Sequence, residues 1–313
     1  MNAKIHTGTP EAIELALGHL RQGGLVAVPT ETVYGLAADA ANGEAVARIY
    51  AAKGRPSFNP LIAHVANAEM AMREGLFSAK AKALVNTFWP GPLTLVVNVA
   101  PYGTVSDLAR AGLDSVALRM PAHPVALDLL SAFGAPLVAP SANPSGQISP
   151  TMAAHVAADM ADRVDMILDG GTCSAGIEST IIDVRGEVPA LLRPGSLDVS
   201  QIEAIWPGLI RPALNPNAPQ SPGQLLRHYA PRATLRLNAQ AAMAGEAYLG
   251  FGKNSAATLN LSPNARLQEA AANLFSMLRT LDAEYARIAV APIPATGLGE
   301  AINDRLTRAA KSS

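Results

Sequence analysis

The chain has 313 residues, 49% of them hydrophobic, and a formal net charge of −1. That length supports a sizeable core and more than one domain, and the near-neutral balance excludes a global positive field that would draw in nucleic acid or an anionic membrane. The single cysteine, Cys173, excludes an internal disulfide framework and a cysteine-built zinc site.

Residues 10–22 carry Ile13, Ala16, Leu17 and Leu20 at helical spacing, with Thr9 as N-cap, Pro10 as first helical residue and Gly23-Gly24 as the stop. The N-terminal stretch lacks a basic segment followed by an apolar one, so no signal peptide is expected. No uncharged apolar run reaches the length of a membrane span. The expected location is the cytoplasm, with no membrane partner.

Residues 25–28 predict a short buried strand ended by Pro29, and the hydroxyls and carboxylate of Thr30, Glu31 and Thr32 follow at its end. A helix is expected over 44–52, running into Lys53-Gly54-Arg55-Pro56. Lysine is a point charge and arginine a planar fork, both suited to phosphate oxygens. A plain C-cap, with Gly54 closing the helix and Lys53 offsetting its negative end, accounts for the same residues. Residues 61–65 repeat the strand pattern. A helix over 78–88 is broken by Trp89-Pro90-Gly91-Pro92, and a strand rich in β-branched residues follows over 93–99.

Strands are expected over 116–120, 137–139, 166–168 and 180–184, with helices over 124–133 and 152–158 between them. The first of these strands carries Arg119, and a charge in a buried run needs an internal partner or a ligand. Arg193 poses the same question. The second leads into Ser141-Ala142-Asn143, short polar side chains held by Pro140 and Pro144. They suit either a nucleotide at a strand end or a simple Ser or Asx turn. Gly176-Ile177-Glu178-Ser179-Thr180 places hydroxyls and backbone N–H groups at a strand entry, as an anion site or as a glycine-rich loop. Cys173 lies in that loop with no His or basic neighbour in sequence, which reads as structural.

Residues 190–194 and 199–205 finish a first domain, 1–205. A proline-rich linker follows over 206–232, and its 224–231 stretch carries apolar and aromatic side chains that suggest docking. A small unit over 233–313 has expected strands at 234–237, 247–251, 256–259 and 288–291 and helices at 267–281 and 300–310. Gly250-Phe251-Gly252-Lys253 lacks the spacer and the trailing Ser/Thr of a Walker A loop. Strands alternating with helices make both units α/β.

Seven segments occur in a fixed order: Pro29 to Leu36 (PTETVYGL), Lys53 to Pro56 (KGRP), Asn59 to Ile62 (NPLI), Trp89 to Thr94 (WPGPLT), Arg119-Met120-Pro121, Ser141-Ala142-Asn143 and Ser179-Thr180. Together they closely resemble the YrdC-like threonylcarbamoyl-AMP synthases, over residues 8–205, with the Lys-x-Arg and Ser-x-Asn hallmarks intact. The linker, with His228-Tyr229-Ala230-Pro231, and the C-terminal unit resemble the longer, two-domain members.

The resemblance implies a twisted, mixed open sheet with a concave, positively charged cavity, and a Rossmann-like C-terminal domain. It implies condensation of L-threonine, bicarbonate and ATP into threonylcarbamoyl-AMP with release of pyrophosphate, Mg²⁺ accompanying ATP. A partner transferase would then modify tRNA, with only weak or indirect tRNA contact here. By motif, Lys53 and Arg55 would be catalytic and would hold ATP with Asn59, Ser115, Ser141, Asn143, Ser149, Arg193 and Tyr229. Thr32, His64, Arg119, Ala139 and Ser179 would hold threonine. The chemistry needs no protein nucleophile, so positioning and charge would do the catalysis.

Three other readings compete on the residues. A non-catalytic RNA-binding module would want a larger basic footprint. A hydrogenase-maturation carbamoyl transferase would want paired cysteines, and a sugar-phosphate lyase or synthase clustered acidic metal ligands.

Overall fold

The computed structural model describes residues 3–213, 221, 229–254 and 256–311. In chain order the elements begin with β1 (Lys4–Thr7), α1 (Pro10–Arg21), β2 (Val26–Val28), β3 (Gly35–Asp39), α2 (Gly43–Lys53), β4 (Ile62–His64), α3 (Ala68–Glu74), β5 (Gly75–Leu76) and α4 (Ala79–Phe88). They continue with β6 (Leu93–Val99), β7 (Ser115–Arg119), α5 (Pro124–Phe133), β8 (Leu137–Val138), α6 (Ala153–Met160), β9 (Met166–Asp169), β10 (Thr180–Asp183), β11 (Ala190–Arg193) and α7 (Val199–Ile205). The C-terminal unit holds β12 (Thr234–Arg236), β13 (Ala247–Gly250), β14 (Leu259–Asn260), α8 (Leu267–Glu284), β15 (Arg287–Val290) and α9 (Leu298–Ala310).

The first eleven strands make one mixed sheet in the order β1-β9-β2-β3-β8-β4-β7-β6-β10-β11, with β5 beside β6. β4 runs parallel to β7 and antiparallel to β8, while β6 runs parallel to β10 and antiparallel to β7. This pairing brings the ends of β4 and β7 and the starts of β8 and β10 to one place. The main core gathers α1, α2, α4, α5 and α6 against the sheet. A separate apolar cluster, Ile62, Val96, Ala117, Ile181 and Leu192, belongs to none of that packing. Side chains alternate between faces along a strand, so Ser115, Ala117 and Arg119 share one face of β7.

The second sheet is fully parallel, β12-β15-β13-β14. Its core, built on Leu274, Phe275, Leu278, Ile288 and Ile302, also takes in Val33, Ile148 and Ile177 of the first unit together with Tyr229. The two units therefore share a continuous apolar contact. Arg279 of α8 adds an ion pair to Asp159 of α6 at 2.6 Å, and Arg211 one to Glu300 of α9 at 2.7 Å.

The helix at the site starts and stops where its sequence dictates. Asn42 caps α2 by accepting from Glu44 N at 3.0 Å and Ala45 N at 3.1 Å. Gly54 ends it at φ 58°, ψ 36°, a left-handed conformation that costs glycine nothing. The sequence pattern misses β1, β3, α3 and β5, and it places β14 three residues too early. β3 reads Gly-Leu-Ala-Ala-Asp, without the β-branched residues that mark a strand; its pairing with β2 and β8 makes it one. Most of the 224–231 stretch expected to dock lies outside the described residues. Tyr229 within it is described and is 1% exposed.

Candidate active site

A hollow opens on the sheet face at these converging strand ends. Thr30, Thr32, Val33, Gly35, Arg55, Ile62, His64, Arg119, Ala139, Pro140, Ser141, Glu178, Ser179 and Arg193 line it. Arg55, Arg119 and Arg193 come from three distant stretches of chain, and all are buried.

Lys53 stands behind Arg55 and joins the two hallmark segments. Its Nζ donates to Ser141 O and to Asn143 O, each at 2.5 Å. Burial, and after it the charge of Arg55, hold its ammonium well below the usual lysine range. The C-cap reading is right for Gly54 and too small for Lys53, whose side chain ties α2 to the Ser141–Asn143 turn. Arg55 donates from Nε to Asn59 O at 3.2 Å and from Nη2 to Pro60 O at 2.9 Å. Burial lowers its guanidinium to about 10. The Asn59 side-chain oxygen and nitrogen, and Asn143 Oδ1, are buried without partners among the described residues. Such groups are costly to leave unpaired, and both side chains belong to the nucleotide set implied by the sequence.

At the glycine loop, Arg193 donates to Ser179 O from Nε at 3.2 Å and from Nη2 at 2.9 Å, and Ser179 Oγ lies 2.7 Å from Thr94 Oγ1. Burial is the main cause that lowers the Arg193 guanidinium too. Ser149 Oγ donates to Glu178 Oε1 at 2.6 Å. The Tyr229 ring stacks on Phe275 at a centroid distance of 5.3 Å.

A second group centres on Arg119. Its Nη1 donates to Thr32 Oγ1 at 2.9 Å and its Nε to Gly91 O at 3.3 Å. Nη2 lies 2.7 Å from Glu31 Oε1. That contact is a close ion pair whose angle does not make a hydrogen bond, since neither atom has a hydrogen-bond partner. The question raised by a charge in a buried strand is thus answered by an internal carboxylate, which the sequence left open. The Thr30 hydroxyl donates to Val33 O at 2.7 Å, so across its 2.8 Å contact with Thr32 it is Thr32 that donates.

His64 sits beside this group. Burial first, and the Arg119 charge second, push its imidazole down from 6.5 to about 3. The unfolded ring takes a proton near 6.5 and the folded one near 3, so stability from neutral His64 is complete above pH 6.5 and is lost as pH falls toward 3. His155, lowered to about 4 chiefly by burial, acts in the same sense. The contribution of His64 is therefore read as a difference. Urea unfolding of wild type and His64→Gln should show a gap that narrows steadily below pH 6.5; a gap constant with pH would refute it.

Ser115 is the outlier of the implied set. It starts β7, opposite Asn98, on the face of Ala117 and Arg119 but at the far end of the strand from Arg119. It is outside the hollow's lining, as are Asn59, Asn143, Ser149 and Tyr229, which stand behind or beside it. Cys173 is buried, and burial raises its thiol to about 12, so it stays protonated. Glu178 is the lining residue whose importance sequence reasoning did not single out, although Ser-Thr beside it did mark the loop.

A Sua5/YciO/YrdC family model, described as telomere recombination, matches residues 18–195. The chain belongs to the Sua5/YciO/YrdC family. A second model, the threonylcarbamoyl-AMP synthase C-terminal domain, matches residues 197–311. The threonylcarbamoyl-AMP synthase of Bacillus subtilis is 41% identical to this Sua5/YciO/YrdC chain, over 98% of it and 95% of the relative. That of Pyrococcus abyssi is 40% identical over 95% and 93%. The crystal structure of P. abyssi Sua5 complexed with L-threonine superposes with a TM-score of 0.89 at 36% identity, covering 99% of this chain and 97% of that one. Escherichia coli YciO, at 21% identity and a TM-score of 0.55 over 62% of this chain, shares the fold of the first unit.

Proposed function

We propose that this protein is an L-threonylcarbamoyladenylate synthase, a nucleotidyl transferase that joins L-threonine, bicarbonate and ATP and releases pyrophosphate. One observation carries the reading: a single hollow is lined by Arg55 and Arg193 in one group and by Arg119, Thr32 and His64 in another, with Glu31 paired to Arg119 outside the lining. The first group suits a polyanion. The second offers a guanidinium for a carboxylate, beside the Thr32 hydroxyl and a neutral imidazole, which suits a small hydroxy amino acid. Full-length likeness to relatives named threonylcarbamoyl-AMP synthase supports the same assignment.

In this reading Arg55, Lys53 and Arg193 hold the triphosphate, with Asn59, Ser115, Ser141, Asn143, Ser149 and Tyr229 around the nucleoside. Thr32, His64, Arg119, Ala139 and Ser179 orient threonine. Neutral His64 can accept at one nitrogen and donate at the other, which fits the threonine hydroxyl. The carbamate of threonine attacks the α-phosphorus; the bond to the bridging oxygen breaks, and pyrophosphate leaves with the electron pair. Fixed cations offset the charge as it develops.

Among the described residues no three His, Cys, Asp or Glu side chains cluster to hold a metal. Glu31 and Glu178 are each paired with an arginine. Mg²⁺ therefore fits best on the ATP phosphates, where it would neutralise leaving-group charge. The adenylate would pass to a transferase acting on tRNA.

Pyrophosphate release is the test. It should require threonine and bicarbonate together, and be absent when either is withheld. Salt-sensitive tRNA binding without any such turnover would favour the RNA-binding alternative instead.

A further inference from the structure

We propose that Arg305, carried by the C-terminal domain, is a positioning residue for the nucleotide end of the hollow. The inference rests on the synthase reading above.

Arg305 lies on α9 and is 0% exposed. A guanidinium so buried must be paired to be tolerated. Its Nε donates to Glu178 Oε2 at 3.0 Å, and its Nη1 to Pro194 O at 2.6 Å and to Asp304 Oδ2 at 2.9 Å. Its central carbon lies 5.4 Å from the centre of the Tyr229 ring, a cation–π distance. One side chain thus grips both flanks of the joint in which Arg193 meets Ser179. Glu178 precedes Ser179, and Pro194 follows Arg193. Through the other oxygen of Glu178 the grip extends to Ser149, at 2.6 Å. Through its cation–π contact it bears on the face of Tyr229.

The charge of Arg305 is matched by Glu178 and Asp304, so it is not a spare cation for phosphate. It acts through the groups it places on the nucleotide side, Arg193, Ser149 and Tyr229; Ser179, on the threonine side, has its hydroxyl held independently by Thr94 at 2.7 Å. Docking of the two units does not depend on it, because the shared apolar contact and the Arg279–Asp159 and Arg211–Glu300 pairs hold them as well. An arginine that merely fastened two domains would have no need to reach a lining residue.

The test is a comparison of steady-state pyrophosphate release, varying ATP and threonine separately. Arg305→Gln should raise KM for ATP by about tenfold or more while KM for threonine stays within about twofold. Arg305→Lys, which keeps the charge for Glu178 but not the fork, should recover part of the loss. Arg211→Met, which removes the exposed link to the same helix, should behave as wild type. If Arg305→Gln does not fold, the Glu178→Gln/Arg305→Met double variant leaves no unpaired buried charge and should show the same ATP defect.

Unchanged KM for ATP in the variants, or an equal rise for both substrates, overturns the inference and leaves the synthase reading standing. A wild-type protein without threonine-dependent pyrophosphate release overturns the synthase reading, and the inference with it.

Discussion

Lys53→Met should lower pyrophosphate release by about 10²–10³-fold, the usual scale for one preorganised electrostatic group, while the protein stays folded. The argument is geometric. An ammonium has three donors, and Ser141 O and Asn143 O take two of them. In the proposed site the third would be free for a ligand oxygen. Methionine keeps the length and apolar stem but removes all three. The turn that presents Ser141 and Asn143 then loses its anchor to α2, and the proposed phosphate site loses a donor.

Stability should change much less. Two carbonyls lose a partner at about 1–3 kcal/mol each, but the cost of burying an ammonium disappears with them. Arg55→Ala should lose activity on the same scale, since a guanidinium lining the hollow goes with it. Circular dichroism and a urea midpoint on each variant keep loss of fold apart from loss of chemistry. Turnover within about threefold of wild type in both variants, against the 10²–10³ expected, would take these residues out of the mechanism.

The parts of the site legible in the sequence are those whose chemistry is local. Gly54 after a helical stretch announces a left-handed cap, and a lysine and an arginine flanking it announce cations on a turn. The apolar runs ending in Thr30, His64 and Arg119 announce strand ends that carry polar groups. Ser141 to Asn143 after a short strand does the same. What composition and spacing could not supply is which of these meet. The contact of Lys53 with the Ser141–Asn143 turn spans about 90 positions, and only the ordered set of motifs pointed to it.

Partners on long loops of chain were invisible for the same reason. Arg119 finds Glu31 at a sequence distance no periodicity encodes, and Glu178 finds Arg305 across 127 positions. β3 was missed because Gly, Ala and Asp carry no strand propensity. It exists because β2 and β8 flank it. In each case tertiary pairing decides what the local signal leaves undetermined.

Gly176→Ala should uncouple the C-terminal domain from the hollow and reduce pyrophosphate release by at least about tenfold, a barrier change of about 1.4 kcal/mol. Gly176 has φ 71°, and an L-residue there costs roughly 1–2 kcal/mol. Its place is the harder constraint. A Cβ would lie 2.4 Å from Ala272 Cα and O and 2.6 Å from Ala271 O. Those atoms are the main chain of α8, which cannot swing aside as a side chain would. The helix must retreat, and it carries Phe275, the stacking partner of Tyr229. The retreat would also strain the path from α9 through Arg305 to Glu178, two residues after the glycine. Small-angle scattering should report a larger radius of gyration. The first unit, with its own core, should retain its circular dichroism. Gly18→Ala supplies the control: the same chemical change lies inside α1 with nothing within 4 Å of the new methyl. It should stabilise the protein by about 0.5–1 kcal/mol and leave turnover alone. If Gly176→Ala instead matches wild type in both turnover and scattering, close contact between α8 and the glycine loop is not what holds the hollow in its working shape.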